Sequence, residues 1–307
     1  MNIRNASTIY PVQKKNKLNP FIRRNIAGYL LCSPMILGLL IFVFYPMLQT
    51  FIYSFQSTNG ISGVLNGVTN YKWIFKDDMF WGALKNTAIM SVMAVLIDIV
   101  VCFILASLIN SLSYNKGFFK SIYFLPNVVS SVATALLFNF LFYPTNAGVI
   151  NYFLSFLGIK PVGWLVQPGI AKFSIVLMGL WRSVGYDTIL FLAGLQSIPR
   201  EYYEAAKVDG ANGLQRWWHI TIPNMKPIFA FMIIMQVIGT LKRFDDVWLI
   251  GGVGGNPGGS LQTVVLYIYR NAWISRDVGI ASAASVVLFA ITLIITIANY
   301  RLMNKER

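Results

Sequence analysis

Long apolar blocks alternate along the chain with short gaps that hold most of its charge. A helix rises about 1.5 Å per residue and the hydrocarbon core of a bilayer is about 30 Å thick, so about 20 apolar residues make one crossing. By that rule six spans are predicted, over residues 26–54, 83–110, 121–143, 171–195, 228–250 and 278–302. The first follows a basic segment, residues 1–25, that carries Arg4, Lys14, Lys15, Lys17, Arg23 and Arg24 and no acid. A cleaved signal peptide also begins with basic residues. Here the apolar stretch is too long for one, and Cys32-Ser33-Pro34 followed by more apolar sequence is no cleavage site, so the block reads as a retained span.

Composition agrees. Of 307 residues, 56% are hydrophobic and 12% charged, against roughly a quarter charged in a soluble domain. The net charge of +14 raises a nucleic-acid partner, but such a surface would line up basic residues on one face with aromatics between them. The lysines and arginines sit in the gaps between apolar blocks instead, where they set membrane orientation. With the N-terminus inside, the cytoplasmic gaps and ends hold 15 of them and the exterior gaps 5, so both termini are expected in the cytoplasm. Cys32 and Cys102 each lie inside an apolar block, and His219 stands alone, so neither a disulfide framework nor a metal site is expected.

The gap Ser197–Pro227 is the longest cytoplasmic one, and it is neither low-complexity nor a Gly/Ser linker. Pro199 suits a helix start, and Glu201 and Glu204 fall in early turns, where the macrodipole favours anions. Gly210 and Gly213 are expected to break that helix before a second short one, with Pro223 and Pro227 leading into the next span. No phosphate-binding GxxxxGK[ST] occurs anywhere in the chain, so an energy source for transport would lie on another polypeptide.

Within this gap, Glu204-Ala205-Ala206, three residues, Gly210, nine residues and Ile220-Thr221-Ile222-Pro223 follow one another at fixed spacing. The stretch resembles the EAA loop of ABC importer permeases, departing only in Ile222 for leucine, and Asp209-Gly210-Ala211 is similar to the sugar-importer branch. Residues 125–151, 181–199 and 266–299 are also similar to the maltose permease family. The resemblance implies a type I importer fold: an all-α integral membrane domain over residues 26–307, with six transmembrane helices and a cytoplasmic coupling loop at 197–227. Glu204, Ala205, Ala206, Asp209, Gly210 and Ala211 would then meet an ATPase subunit. The two alanines let a partner backbone approach, the glutamate supplies a charge, and Gly210 permits a sharp turn.

Ionisable residues inside spans are costly and usually face a cavity or a partner. Here they include Asp98, Arg182, Asp187, Lys242, Arg243, Asp245 and Asp246. The residues themselves leave structural roles open. Lys242 and Asp246 are four apart and can neutralise each other on one helix, Arg182 can pair with Asp187, and Asp98 can bond a neighbouring helix. Similarity to the maltose permease places Ser183, Tyr186, Lys242, Arg243 and Asp246 at sugar-contact positions. A bound carboxylate, as in a uronic acid, would pair with Arg243. After the fifth span the chain has GGVGGNPGGS (251–260) where the family has a shorter turn, so contacts of this loop do not carry over.

The resemblance implies a permease subunit that moves sugars or oligosaccharides, acidic ones included, across a bacterial cytoplasmic membrane. It implies a second permease subunit, two ATPase subunits and an extracellular solute-binding protein as partners. ATP and Mg would be bound by the ATPases; this chain would hold no cofactor and catalyse no bond-making step. The rival reading is an ion-coupled secondary transporter with Asp187 or Asp246 as proton relay, but the internal repeats usual in such folds are not found. An intramembrane enzyme is disfavoured because no HExxH or GxSxG occurs.

Overall fold

The computed structural model describes residues 20–112 and 116–305. Residues 1–19 of the basic N-terminal segment, and Arg307, lie outside the described residues. The chain divides into two compact units, Met1–Gln49 and Thr50–Arg307.

The described residues begin with α1 (Pro20–Leu39), continued by a π-helical turn, Leu40–Phe44, into α2 (Tyr45–Tyr53), and the first unit ends within α2 at Gln49. Leucine, isoleucine, phenylalanine and valine occupy every face from Leu30 to Phe44. A helix apolar all round needs an apolar surrounding on all sides, which is the pattern of a membrane span.

After the end of α2 the second unit forms a two-stranded antiparallel ribbon that the apolar pattern did not anticipate. In it β1 (Gln56–Thr58) pairs with β2 (Gly63–Leu65), with Ser57 opposite Val64. A short α3 (Thr69–Ile74) leads to α4 (Asp78–Ser111), whose N-cap Asp77 accepts the Met79 amide hydrogen bond at 2.9 Å. Then come α5 (Lys116–Val128), α6 (Ser131–Leu141), α7 (Val149–Phe156) and α8 (Pro168–Gln196). The predicted cytoplasmic loop folds as α9 (Arg200–Val208), α10 (Gly213–Arg216) and α11 (Ile222–Asn224). The remaining helices are α12 (Lys226–Leu241), α13 (Asp245–Gly251), α14 (Val264–Tyr269) and α15 (Val278–Lys305).

Among the described residues five helical stretches are long and apolar enough to cross a membrane: Gly28–Tyr53, Asp78–Ser111, Pro168–Gln196, Lys226–Gly251 and Val278–Arg301. Each matches a predicted span within a few residues. The predicted third span, 121–143, is corrected: it is a pair, Gly117–Val128 and Ser131–Leu141, bent by 98°, and gives a sixth crossing only if both halves count as one. The cause lies in Leu125–Ser131. Pro126 has no N–H to continue the ladder, Val129 turns back to the Pro126 carbonyl at 3.2 Å, and Ser130 caps α6 by accepting from Ala133 N.

In the second unit α4 and α8 pack along one another, with α5 crossing α8 and α12 lying against α4. The α5–α8 crossing is closest at Gly185, where a β-carbon would lie 1.9 Å from the Tyr123 carbonyl oxygen. Buried apolar residues form three clusters. One surrounds Met90, Phe138, Ile175 and Leu266, a second Phe103, Phe191, Leu195 and Met232, and a third Ile74, Phe80, Tyr267 and Ala284. Segment 251–260 is folded rather than extended. Asn256 N donates to Gly251 O and Leu261 N to Gly255 O, and Asn86 of α4 pins its end by donating to the Gly259 carbonyl at 2.9 Å. Nearby, the fully buried Tyr267 donates its hydroxyl to Asp77 at 2.7 Å. Burial first, and the Asp77 carboxylate second, push the Tyr267 phenol up from its ordinary pKa.

Candidate functional site

Two arrangements carry the chemistry. One is the loop between α8 and α12. Pro199 precedes α9, and Gly210 follows it with φ +80°, a left-handed turn that a β-carbon resists. Gly213 does not break a helix as predicted. Asn212 caps α10 through a capping box with Gln215, so Gly213 becomes the first residue of the next helix. A π-helical turn, Trp217–Thr221, then leads into α11.

The inner face of this loop is fastened to the second apolar cluster. Tyr203, Trp217, Ile220 and Ile222 pack on it. The Tyr203 hydroxyl bonds Thr221 Oγ1 at 3.0 Å, and Trp217 stacks on Phe103 while its Nε1 donates to Ser107 Oγ at 3.3 Å. The outer face is open. Glu204, Ala205 and Asp209 are exposed, Ala206 and Ala211 half-buried. A groove of about 340 Å³ runs between Ala206, Asp209, Gly210 and Ala211 on one arm and Gln215, Arg216 and His219 on the other. Val208, 88% exposed, and Leu214, 67% exposed, add apolar surface beside the groove. Of the six residues predicted for coupling, Ala206, Asp209, Gly210 and Ala211 line this groove, and Glu204 and Ala205 are exposed on α9 beside it.

The second arrangement lies inside the second unit. Ser183 Oγ donates to Asp98 Oδ1 at 2.7 Å, and the Gln236 amide nitrogen donates to both Asp98 Oδ2 at 2.9 Å and Asp187 Oδ2 at 2.6 Å. One amide thus ties α4, α8 and α12 together through two buried carboxyl groups. Asp187 takes this bond instead of the pairing with Arg182 that the sequence left open. Asp98, Cys102 and Asp187 bring their ligand atoms within 4.8 Å. Both carboxyl groups are engaged by protein donors, however, and the Cys102 thiol faces the Val184 carbonyl at 3.8 Å. The cysteines are free.

The fifth predicted span is interrupted at Lys242–Phe244, between α12 and α13. Lys242 and Asp246 consequently do not share a continuous helix face, and Asp246 forms its ion pair with Arg243. The Arg243 guanidinium also donates to the Ile175 carbonyl of α8 at 3.2 Å, and the Arg243 carbonyl accepts from Thr263 Oγ1 at 3.0 Å. Around the interruption a cavity of about 220 Å³ is lined by Arg182, Lys242, Arg243, Phe244, Asp245 and Asp246. Behind Arg243 a smaller one of about 120 Å³ reaches Asp98, Ser183, Gln236 and Thr240. Phe244 stacks with Trp248 and packs on Tyr269.

Of the residues predicted to touch sugar, Lys242, Arg243 and Asp246 share the larger cavity and Ser183 lines the smaller. Tyr186 lines neither and is 48% exposed on α8. Sequence reasoning passed over Gln236 and Gly179. An amide in an apolar run was the available signal for Gln236; nothing in the sequence marked Gly179.

The family described as binding-protein-dependent transport system inner membrane component matches residues 99–307, from within α4 to the C-terminus, and so includes the loop and all of the second arrangement except Asp98. The chain belongs to this family. It is a permease component of a binding-protein-dependent importer, as the loop spacing implied. The lactose transport system permease protein LacF of Rhizobium radiobacter is 37% identical over 280 residues, covering 90% of this chain and 92% of its own length. The arabinooligosaccharides transport system permease protein AraP of Bacillus subtilis is 30% identical, covering 97% and 96%. A chain in the crystal structure of a bacterial alginate ABC transporter, in complex with an alginate pentasaccharide-bound periplasmic protein, superposes with a TM-score of 0.81. It is 27% identical and covers 94% of this permease and 98% of the other chain.

Proposed function

We propose that this permease imports oligosaccharides, including ones that carry carboxylates, as one half of a transmembrane pair. The observation that carries the reading is the cavity at the α12–α13 interruption, where charged groups and an aromatic face stand together inside the membrane domain. Sugars offer hydroxyls for polar groups and C–H faces for rings, so a site of this composition suits them. Lys242, Arg243 and Asp246 would meet sugar hydroxyls there, with Ser183 behind them and Tyr186 along the same helix. End-to-end similarity to lactose, arabinooligosaccharide and alginate transporters supports the substrate class.

The loop 197–227 would seat in a groove of an ATPase subunit, with Glu204, Ala205, Ala206, Asp209, Gly210 and Ala211 at the contact. ATP and Mg would be held by two such subunits, a related permease would complete the pathway, and a solute-binding protein would deliver the sugar from outside. Closing of the ATPases would move the loop and switch the cavity from inward to outward access. The basic bias places both termini in the cytoplasm of a cell bounded by this membrane.

Uptake of labelled oligosaccharide by cells carrying or lacking this permease tests the proposal, with ATP depletion and collapse of the proton gradient applied separately. ATP depletion is expected to stop uptake. Uptake that survives ATP depletion and stops with the gradient would replace the reading with an ion-coupled one. A reporter active only outside the cytoplasm, fused after Arg307, is expected to stay silent.

A further inference from the structure

The cavity at the interruption holds three cationic side chains, Arg182, Lys242 and Arg243, and two acidic ones, Asp245 and Asp246. They are not equivalent. Arg243 is spoken for: its guanidinium pairs with Asp246, donates to the Ile175 carbonyl and is 10% exposed. It also packs against α8 at Gly179, where a β-carbon would come within 2.9 Å of it, so these contacts together hold it in the cavity wall. Asp246 is held in turn, accepting from Val247 N at 2.9 Å, and Asp245 accepts from Ser131 Oγ at 3.5 Å.

Arg182 is the opposite case. Among the described residues it makes no ion pair or hydrogen bond: its Nε, like that of Arg243, is buried without a partner, but its terminal nitrogens lack the bonds that hold those of Arg243. A guanidinium left this way in a low-dielectric wall is costly, and an anion arriving from the cavity would offset the cost. With the Arg243–Asp246 pair internally balanced, the lining of three cations and two acids leaves one positive charge in excess, matching a single carboxylate. Arg182 also stands four residues before Tyr186 on α8, so the two lie one turn apart on the same face. A planar fork suits the carboxylate of a uronic acid residue, and Tyr186, outside the cavity lining, stands one turn further along α8.

We propose that Arg182 is the specificity-determining residue that takes a carboxylate of the transported sugar, with Arg243 locked by Asp246 as part of the wall. This rests on the reading of the permease as a sugar importer and deepens it. It differs from the sequence expectation, which gave the carboxylate to Arg243. Lys242, a compact ammonium at the cavity edge, would add field but no bidentate contact.

The test uses the complete transporter, with its permease partner, ATPases and solute-binding protein, reconstituted in vesicles. The probes are a labelled oligomer of hexuronic acid residues, its carboxyl-reduced counterpart, and a sugar phosphate of similar size. Arg182→Gln is expected to lower the acidic-to-reduced uptake ratio about tenfold or more, the scale of one charge-assisted contact. Arg182→Lys, which keeps charge but not the fork, should fall between Gln and wild type for the uronate. A wild-type transporter that prefers uronate, with the ratio unchanged in Arg182→Gln, overturns the assignment to Arg182 and leaves the importer reading intact. A wild-type transporter that moves only the reduced sugar overturns both the acidic substrate and this inference. Preference for the phosphate over the uronate, lost in Arg182→Gln, overturns the carboxylate while keeping Arg182 as an anion site. Should Arg182→Gln fail to assemble, Arg182→Lys decides: a ratio equal to wild type counts against the fork.

Discussion

The guanidinium of Arg243 on the interrupted fifth span rests on Gly179 of α8, so close that a β-carbon there would sit 2.9 Å from one terminal nitrogen. Six residues along the same helix, Gly185 faces backbone instead, with its absent β-carbon 1.9 Å from the Tyr123 carbonyl oxygen. Both glycines permit close approach, but the obstacles differ. A side-chain tip can retreat, at the cost of its ion pair; a helix backbone has to move as a body. Gly179→Ala is therefore expected to destabilise the assembled protein by about 1–3 kcal/mol, the usual range for overpacking. Gly185→Ala should be worse, prising α5 from α8. Thermal unfolding of both variants in detergent checks the order; equal stability of the two would show that the α5–α8 contact yields.

Gln236 is the common donor to Asp98 and Asp187. Gln236→Leu keeps the volume near its original value and strands two buried acceptors, which costs about 1–3 kcal/mol for each group left unpaired. Asp98→Asn in the same chain should recover part of that loss, because an asparagine amide can donate to Asp187. A double-mutant cycle read by thermal unfolding is expected to show coupling of about 0.5–3 kcal/mol between positions 98 and 236. Additive losses would mean the three-helix link carries no energy of its own.

At the N-terminal end of α4, Tyr267 donates to Asp77, the N-cap of that helix. Its phenol is pushed up in the folded protein, so folding favours the protonated form. The sign follows: this contribution is complete below the unfolded phenol pKa of about 10 and is lost as pH rises through the higher folded value. Wild type should lose stability above about pH 10 more steeply than Tyr267→Phe, which has no such proton to release. Parallel stability curves for the two proteins over that range would remove the contact from the account.

Much of this was legible in the sequence, and the parts that were not share a cause. Block length located the spans because the bilayer imposes a length on any helix that crosses it, whatever the helix packs against. It could not see the 98° bend at Val129–Ser130, because the residues on both sides are apolar and hydropathy ignores direction. Fixed spacing located the coupling loop, since Gly210 and the residues flanking it serve a local turn. Partner choice among charged residues was another matter. Lys242 and Asp246 have helical spacing, but the helix is interrupted between them, and Asp246 pairs with Arg243, three residues away, instead. Gly179 becomes meaningful only once Arg243 lies across it.

The coupling loop yields the last prediction. Gly210 holds φ +80° with nothing within 4 Å of the position a β-carbon would take. A substitution there meets no steric obstacle within the chain, so its cost is conformational, about 1–2 kcal/mol for a left-handed backbone on an ordinary residue. Gly210→Asn, which tolerates that region, should come close to wild type in uptake. Gly210→Ala should lie lower. Gly210→Glu should abolish uptake while the protein stays in the membrane, because it adds a second acid beside Asp209 at the rim of the groove and puts bulk on the face proposed to meet an ATPase. Glu204→Lys, on the same exposed face, should do likewise by reversing a charge. Uptake and co-purification of the ATPase are measured together across the series. Loss of co-purification in step with uptake supports docking through this face. Wild-type uptake in both Gly210→Glu and Glu204→Lys would leave the loop a mere connector, however well its spacing matches.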